Sequence, residues 1–232
     1  MNTNVEGKRL VYPGGSVPAQ FVASHDNDAQ KGFTLLCPTE LPVPDGADIG
    51  AELNRQAEFA MYRTWSKDAH GVNSTWETDD PARIGAPLEG VPGVDRYWSV
   101  HARAGTLGHE LPPEEVYDFW VPKGTERNHH PYGACYQNRT ETISTGLREW
   151  YWYNDVQVVL LGGLALEYCV ATTAKQLRAL GFTVILNLAA SPALNPADGK
   201  HAVAELKALG VIMIDSAAEL RLEDIAQTIE LE

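Results

Sequence analysis

Cys169 is the residue whose placement first suggests chemistry. It stands in LLGGLALEYCVATTAKQLRALGFTVIL, residues 160–186, between a glycine-rich apolar run and a helical pattern. The run VQVVLLGG predicts a buried strand over 156–162, and Val170, Ala174 and Leu177 mark the core face of a helix over 168–180 that stops at Gly181. A thiol near the first turn of a helix meets unpaired backbone N–H groups and a partial positive charge, and both favour thiolate. That place suits a nucleophile. It also suits a small buried hydrophobe, and position alone leaves both readings open.

The elements that must hold this cysteine repeat in order. Strand 156–162, helix 168–180, strand 182–188, helix 197–209 ending at Gly210, strand 211–214 and a last helix near 217–228 spell a βαβαβ pattern. The predicted fold class is α/β, a three-layer αβα arrangement with a central, mostly parallel sheet. In such sheets ligands sit beyond the carboxyl ends of the strands. Upstream, a strand at about 20–25 ends in a crowd of polar residues, Ser24 to Asp28. A helix over 47–56 opens on Asp45 or Gly46, a strand follows at about 58–65, VYDFWVPKG ends a strand at a lysine, and ETISTGLREWYWYND reads as a helix. Residues 66–115 are turn-rich, with Pro81, Pro87, Pro92, Pro112 and Pro113, and carry histidines and aromatics, so the long loop reads as functional. Residues 1–19 read as a polar arm or flexible lead-in to one domain spanning 20–232.

Composition narrows the function classes. A formal charge of −13 repels phosphate backbones, which sets nucleic acid aside and favours a small-molecule substrate. Three cysteines (Cys37, Cys135, Cys169) are an odd number in a chain large enough to need no staples, so a reducing, cytoplasmic setting with a free thiol is expected. No apolar run approaches the length of a membrane span and the first residues lack a signal-like core, so no membrane role is expected.

Gly163-Leu164-Ala165-Leu166-Glu167-Tyr168-Cys169-Val170, followed by Thr173-Ala174 and Gly181, resembles the nucleophile segment of the isochorismatase-like cysteine hydrolases, specifically their nicotinamidase/pyrazinamidase branch. Asp28-Ala29-Gln30 followed by Phe33, Val43-Pro44-Asp45-Gly46, Asn54-Arg55, Asp68 with His70, Trp98 with His101, Gly105-Thr106-Leu107-Gly108, and Lys123-Gly124 before Tyr132 are similar to that family's further motifs and keep its order. Each motif is weak alone; the ordered set is specific.

The resemblance implies roles for these residues. Cys169 would attack a carboxamide, Asp28 would take the thiol proton and return it to ammonia, and Lys123 would hold both charges. Backbone N–H groups of Ala165 and Cys169 would form the oxyanion hole, with a cis Leu164–Ala165 peptide. Asp68, His70 and His101 would bind a divalent metal, zinc foremost, with manganese or iron as alternatives. Phe33, Trp98 and Tyr132 would sandwich a flat ring. The implied reaction converts nicotinamide to nicotinate and ammonia in NAD salvage, in a homo-oligomer. The alternatives are another cysteine hydrolase of this fold, acting on isochorismate, a carbamoyl amide or a ureido compound, and an inactive binding module.

The chain departs from the family pattern in three ways. No histidine soon follows the Asp68/His70 pair, which leaves Asn73, Ser74, Glu77 or water as the expected further ligand, while His129 and His130, adjacent in a polar loop, read as solvated. Glu167 stands where an aspartate is usual, and Asn27 replaces an apolar residue, which predicts a wetter end to the first strand.

Overall fold

The computed structural model describes residues 1–111 and 116–225. Its frame is a six-stranded sheet built from β3 (Val22–Asn27), β4 (Tyr62–Asp68), β5 (Phe119–Lys123), β6 (Val158–Gly163), β7 (Thr183–Asn187) and β8 (Ile212–Ile214). The strand order is β5-β4-β3-β6-β7-β8, and every pair is parallel. Parallel strands need crossovers, and α1 (Gly50–Ala57), α2 (Leu147–Tyr153), α3 (Ala171–Ala179) and α4 (Pro196–Ala208) lie in them.

Alternation along β6 divides the core into two layers. Val159 and Leu161 pack with Leu147 and Tyr151 of α2, Leu177 of α3 and Leu206 of α4, while Val158 and Leu160 face the other way. All are essentially inaccessible, so each contributes roughly 1.5–3 kcal/mol of burial. Toward the second face stand α1 and a small antiparallel sheet of order β2-β1-β9, made from β1 (Lys8–Tyr12), β2 (Gly15–Pro18) and β9 (Arg221–Asp224).

That small sheet revises two expectations. The flexible lead-in contains a hairpin whose Leu10 and Val17 are buried against Val158 and Leu160. The last helix is replaced by a short turn at Ala217–Glu219 and by β9, because Leu222 pairs with Leu10 across nearly the whole chain; residues 226–228 of that expected helix lie outside the described residues. The helix expected over 141–155 begins only at Leu147, because Ser144 bridges to Tyr136 instead; elsewhere the differences are of a few residues at element ends, as with α1, which begins at Gly50.

The strand order reverses between β3 and β6. From β3 the chain moves outward through β4 to β5, then returns to β6 on the opposite side. The cleft beyond the carboxyl ends of β3 and β6 is therefore the topological switch point of the sheet.

Candidate active site

Four neighbouring strands deliver four side chains to that cleft. Asp28 follows β3, Asp68 ends β4, Lys123 ends β5, and Cys169 follows β6 in a wide turn, Leu166–Val170, that leads into α3. Asp68 and Lys123 are register partners. The Lys123 Nζ lies 2.9 Å from Asp28 Oδ2, 2.5 Å from Asp68 Oδ1 and 3.7 Å from Cys169 Sγ. All four are buried.

The backbone that makes this possible is tightly specified. Gly163, at φ +140°, is the register partner of Asn27, and a Cβ there would sit 1.9 Å from the Asn27 carbonyl oxygen. Only glycine lets β6 approach β3 so closely before the Cys169 turn. The Leu164–Ala165 peptide that follows is cis. Gly124 (φ +69°) does the same beside Lys123, because a Cβ would meet the His70 ring at 2.5 Å.

Buried hydrogen bonds fix the acids. Asp28 accepts from Ser66 Oγ (2.8 Å) and Asn27 Nδ2 (3.0 Å). Asn27 is inaccessible and in turn accepts from Thr173 Oγ1 at 2.6 Å, so the strand end expected to be wet is a dry polar relay. Gln30 clamps the next strand: its Nε2 donates to the Asp68 carbonyl (2.9 Å) and its Oε1 accepts from the Asp68 N–H (2.7 Å). Glu167 accepts from the N–H groups of Leu194 (3.1 Å) and Asn195 (2.6 Å), anchoring the entry to α4.

Electrostatics divides the two carboxylates. Burial raises Asp28 to about 6, against the pull of Lys123, with Asp68 adding to the rise. Asp68 is also buried, yet Lys123, His70 and His130 outweigh that and hold it well below the usual carboxylate range. Burial would lower Lys123, but Asp28, Asp68 and Cys169 together keep it firmly protonated. Burial pushes the Cys169 thiol well up, and Lys123 does not reverse it. Desolvation thus works against the thiolate that the helix terminus favours, and the lysine charge is shared with two carboxylates.

A second cluster adjoins the first. The ring nitrogens of His70, His101 and His130 converge within 4.8 Å, and His70 Nε2 is 3.5 Å from Asp68 Oδ2. His70 Nδ1 donates to the Gly124 carbonyl (3.0 Å) and His101 Nδ1 to the Ser99 carbonyl (2.7 Å), which turns the ε nitrogens of both rings inward. Burial first, with repulsion from the neighbouring imidazoles, lowers His101 to about 3 and holds His130 well below the usual histidine range, so both are neutral. Among the described residues, Asp68 Oδ2, His70 Nε2 and both His130 nitrogens are buried without a hydrogen-bond partner. Unsatisfied buried acceptors of this kind suit a borderline divalent cation, so the donor set fits the implied metal.

His130 corrects the reading of the adjacent histidines. His129 pairs with Glu126 near solvent, but His130 is buried, 4.6 Å from the Trp76 ring, which also backs His70 at 4.6 Å and His101 at 5.2 Å. The suggested ligand Glu77 is engaged by Arg103 at 2.8 Å. Ser74 donates to the Gly71 carbonyl, and the Asn73 carbonyl accepts from Arg127, both in the turn leading to Trp76. No local signal in the sequence separates His130 from His129, and Trp76 stands out only by its place in the long loop read as functional.

Asp68 and Cys169 from the first cluster and His101 and His130 from the second border one narrow, largely apolar cavity. Phe33, Trp98 and Tyr132 all line it, joined by Tyr168, Leu41 and Leu194. Ala165 and Cys169 form its floor with Asp68. A wider surface hollow near Asn2, Asn54 and Asp118 holds none of the clustered groups. No helix among the described residues is long and apolar enough to cross a membrane.

Comparison with known proteins agrees with this architecture. Residues 95–218, more than half of the chain, match the isochorismatase domain family. A nicotinamidase of Escherichia coli (strain K12) is 25% identical over 186 residues, covering 75% of this chain and 85% of the relative. Among solved structures, an Acinetobacter baumanii nicotinamidase pyrazinamidease is 24% identical with a TM-score of 0.78, over 86% of this chain and 98% of that one. A Pyrococcus horikoshii pyrazinamidase in complex with zinc is 26% identical with a TM-score of 0.66, over 84% and 98%. A motif order that spans the sheet, a switch-point cleft that gathers acid, amine and thiol, and a match over the carboxyl-terminal half lead to one assignment: the chain belongs to the isochorismatase family.

Proposed function

We propose that this protein is an amidohydrolase that converts nicotinamide to nicotinate and ammonia through a thioester on Cys169. The observation that carries the reading is the contact of one buried ammonium, Lys123, with Asp28, Asp68 and Cys169 at the floor of an aromatic-walled cavity. The nicotinamidase and pyrazinamidase relatives support the substrate class.

The thiol is protonated at neutral pH and Asp28 is ionised, so the proton moves from Sγ to Asp28 as sulfur attacks the amide carbon. The carbonyl electrons move to oxygen, where the N–H groups of Ala165 and Cys169 receive the charge. Among the described residues the Ala165 N–H has no backbone acceptor, consistent with that role. Asp28 then donates its proton to the departing nitrogen, the C–N bond breaks, and ammonia leaves a thioester. Water attacks this thioester while Asp28 takes its proton, the C–S bond breaks to release nicotinate, and the proton passes from Asp28 to sulfur, which restores the thiol and the Asp28 carboxylate. Lys123 keeps one ammonium charge beside the anionic groups throughout, which lowers the cost of ionising Asp28 in a dry site.

Asp68, His70, His101 and His130 would hold a divalent metal, zinc foremost. When bound, it supplies a Lewis-acid contact for the ring nitrogen and orients the ring. Phe33, Trp98 and Tyr132 bind the ring faces and exclude water. The product acid would re-enter NAD synthesis.

The test is to incubate the metal-loaded protein with nicotinamide and measure ammonia and nicotinate. Release is expected, and Cys169→Ala should lower it by roughly 10⁴-fold or more while the melting temperature holds. A substrate panel that yields product only from isochorismate or ureido compounds would replace this reading.

A further inference from the structure

Asp95 is not among the reacting groups, yet the cavity walls meet at its carboxylate. The Tyr132 hydroxyl donates to Asp95 Oδ1 at 2.8 Å and accepts from Trp98 Nε1 at 3.1 Å. Asp95 Oδ2 lies 3.4 Å from Arg96 Nε and 3.2 Å from Arg139 Nη1. Arg96 Nη1 also donates to the Tyr168 hydroxyl at 3.3 Å, and its guanidinium lies over the Tyr168 ring at 5.5 Å and the Trp98 ring at 5.9 Å. Arg139 lies over Tyr132 at 5.7 Å.

The three rings come from three segments that no shared strand or helix ties together: the loop before His101, the stretch after Lys123 and the turn that carries Cys169. One carboxylate links them, directly to Tyr132 and through Arg96 to Tyr168. Because the Tyr132 hydroxyl has a donor and an acceptor already in place, Tyr132 presents its ring to the cavity and not a free hydroxyl.

We propose that Asp95 is a positioning residue that sets the spacing of Trp98, Tyr132 and Tyr168, and so selects a flat, single-ring carboxamide. The inference rests on the amide-hydrolase reading above. Asp95 touches neither the scissile group nor the nucleophile, so its loss acts on ground-state fit rather than on bond making.

Steady-state kinetics of the metal-loaded enzyme tests it, with nicotinamide and the two-ring quinoline-3-carboxamide as substrates. Asp95→Ala should raise KM for nicotinamide about tenfold with kcat within about twofold, and should narrow the preference over the two-ring amide. Tyr132→Phe should give the same split, and the double variant should be no worse than either single one, because both cut the same link. Asp95→Asn keeps an acceptor for Tyr132 but no ion pair, and should fall between; it also carries the test should Asp95→Ala fail to fold. An unchanged KM in both Asp95 variants, additive losses in the double variant, or a fall in kcat that tracks a fall in melting temperature overturns the inference while nicotinamide turnover by the wild type stands. A wild type that releases no ammonia from nicotinamide overturns the hydrolase reading and this inference together.

Discussion

The Nζ of Lys123 and the Oδ1 of Asp68 are 2.5 Å apart, and this one contact joins the cluster of Asp28 and Cys169 to the histidine cluster. Asp68 turns its other oxygen toward His70 at 3.5 Å, so a single carboxylate faces both chemistries. The two acids beside Lys123 are separated in proton affinity by this arrangement: the one nearer the histidines is held ionised, the one nearer the thiol sits close to neutrality.

Removing the ammonium should therefore cost more than activity. Lys123→Met leaves Asp28 and Asp68 buried without their cation, and equilibrium denaturation at pH 7 should show a loss of about 3–5 kcal/mol. A variant as stable as the wild type would mean that the two carboxylates are not both charged in the native state.

His130 and His129 offer an internal control for metal binding. His130→Ala should lower the metal content of the purified protein and weaken affinity by roughly 10–100-fold, whereas His129→Ala, a change near solvent, should leave both as they are. Equal effects of the two substitutions would remove His130 from the donor set.

The same pair shows where the sequence becomes hard to read. The βαβ half from β6 to β8 is legible because buried parallel strands are continuous apolar runs punctuated by glycine at helix ends, and Cys169 falls at the predicted place in it. Asp28, Lys123 and the Asp68/His70 pair stand in short motifs spread along the chain, and the parallel sheet brings them to one cleft. The fate of His130 was not legible, since Trp76, far away in the chain, decides which of two adjacent imidazoles is buried. Nor was the hairpin of β1 and β2 with β9, whose pairing of Leu10 with Leu222 joins the two ends of the chain. Local periodicity carries no information about such partners.

The raised acid should appear in the pH profile. Asp28 must be ionised to take the thiol proton, so kcat/KM for nicotinamide should fall as pH drops through about 6 and level off above it. Asp28→Asn should lose this limb along with nearly all turnover. An acidic limb near 4 would mean that burial does not tune this carboxyl.

His25 predicts a stability effect of opposite origin. It is buried under the sheet, 3.0 Å from Thr64 Oγ1 and 3.3 Å from the Tyr151 hydroxyl, and burial lowers it to about 3. Between that value and the ordinary histidine range the unfolded chain binds a proton that the folded one refuses, so this group's contribution is present above about 6.5 and lost as pH falls toward 3. Denaturant midpoints for wild type and His25→Gln should show a wild-type advantage at pH 7 that shrinks steadily by pH 4. An advantage that grows toward acid would contradict the neutral, buried imidazole.

The most direct measurement is intact-mass analysis of the metal-loaded protein, acid-quenched during nicotinamide turnover. The wild type should carry an added pyridine-carbonyl group, located on Cys169 by peptide mapping, and Cys169→Ala should carry none and release no ammonia above background. Full turnover by Cys169→Ala, or an adduct mapped to another residue, would contradict the assignment of this sulfur as the nucleophile.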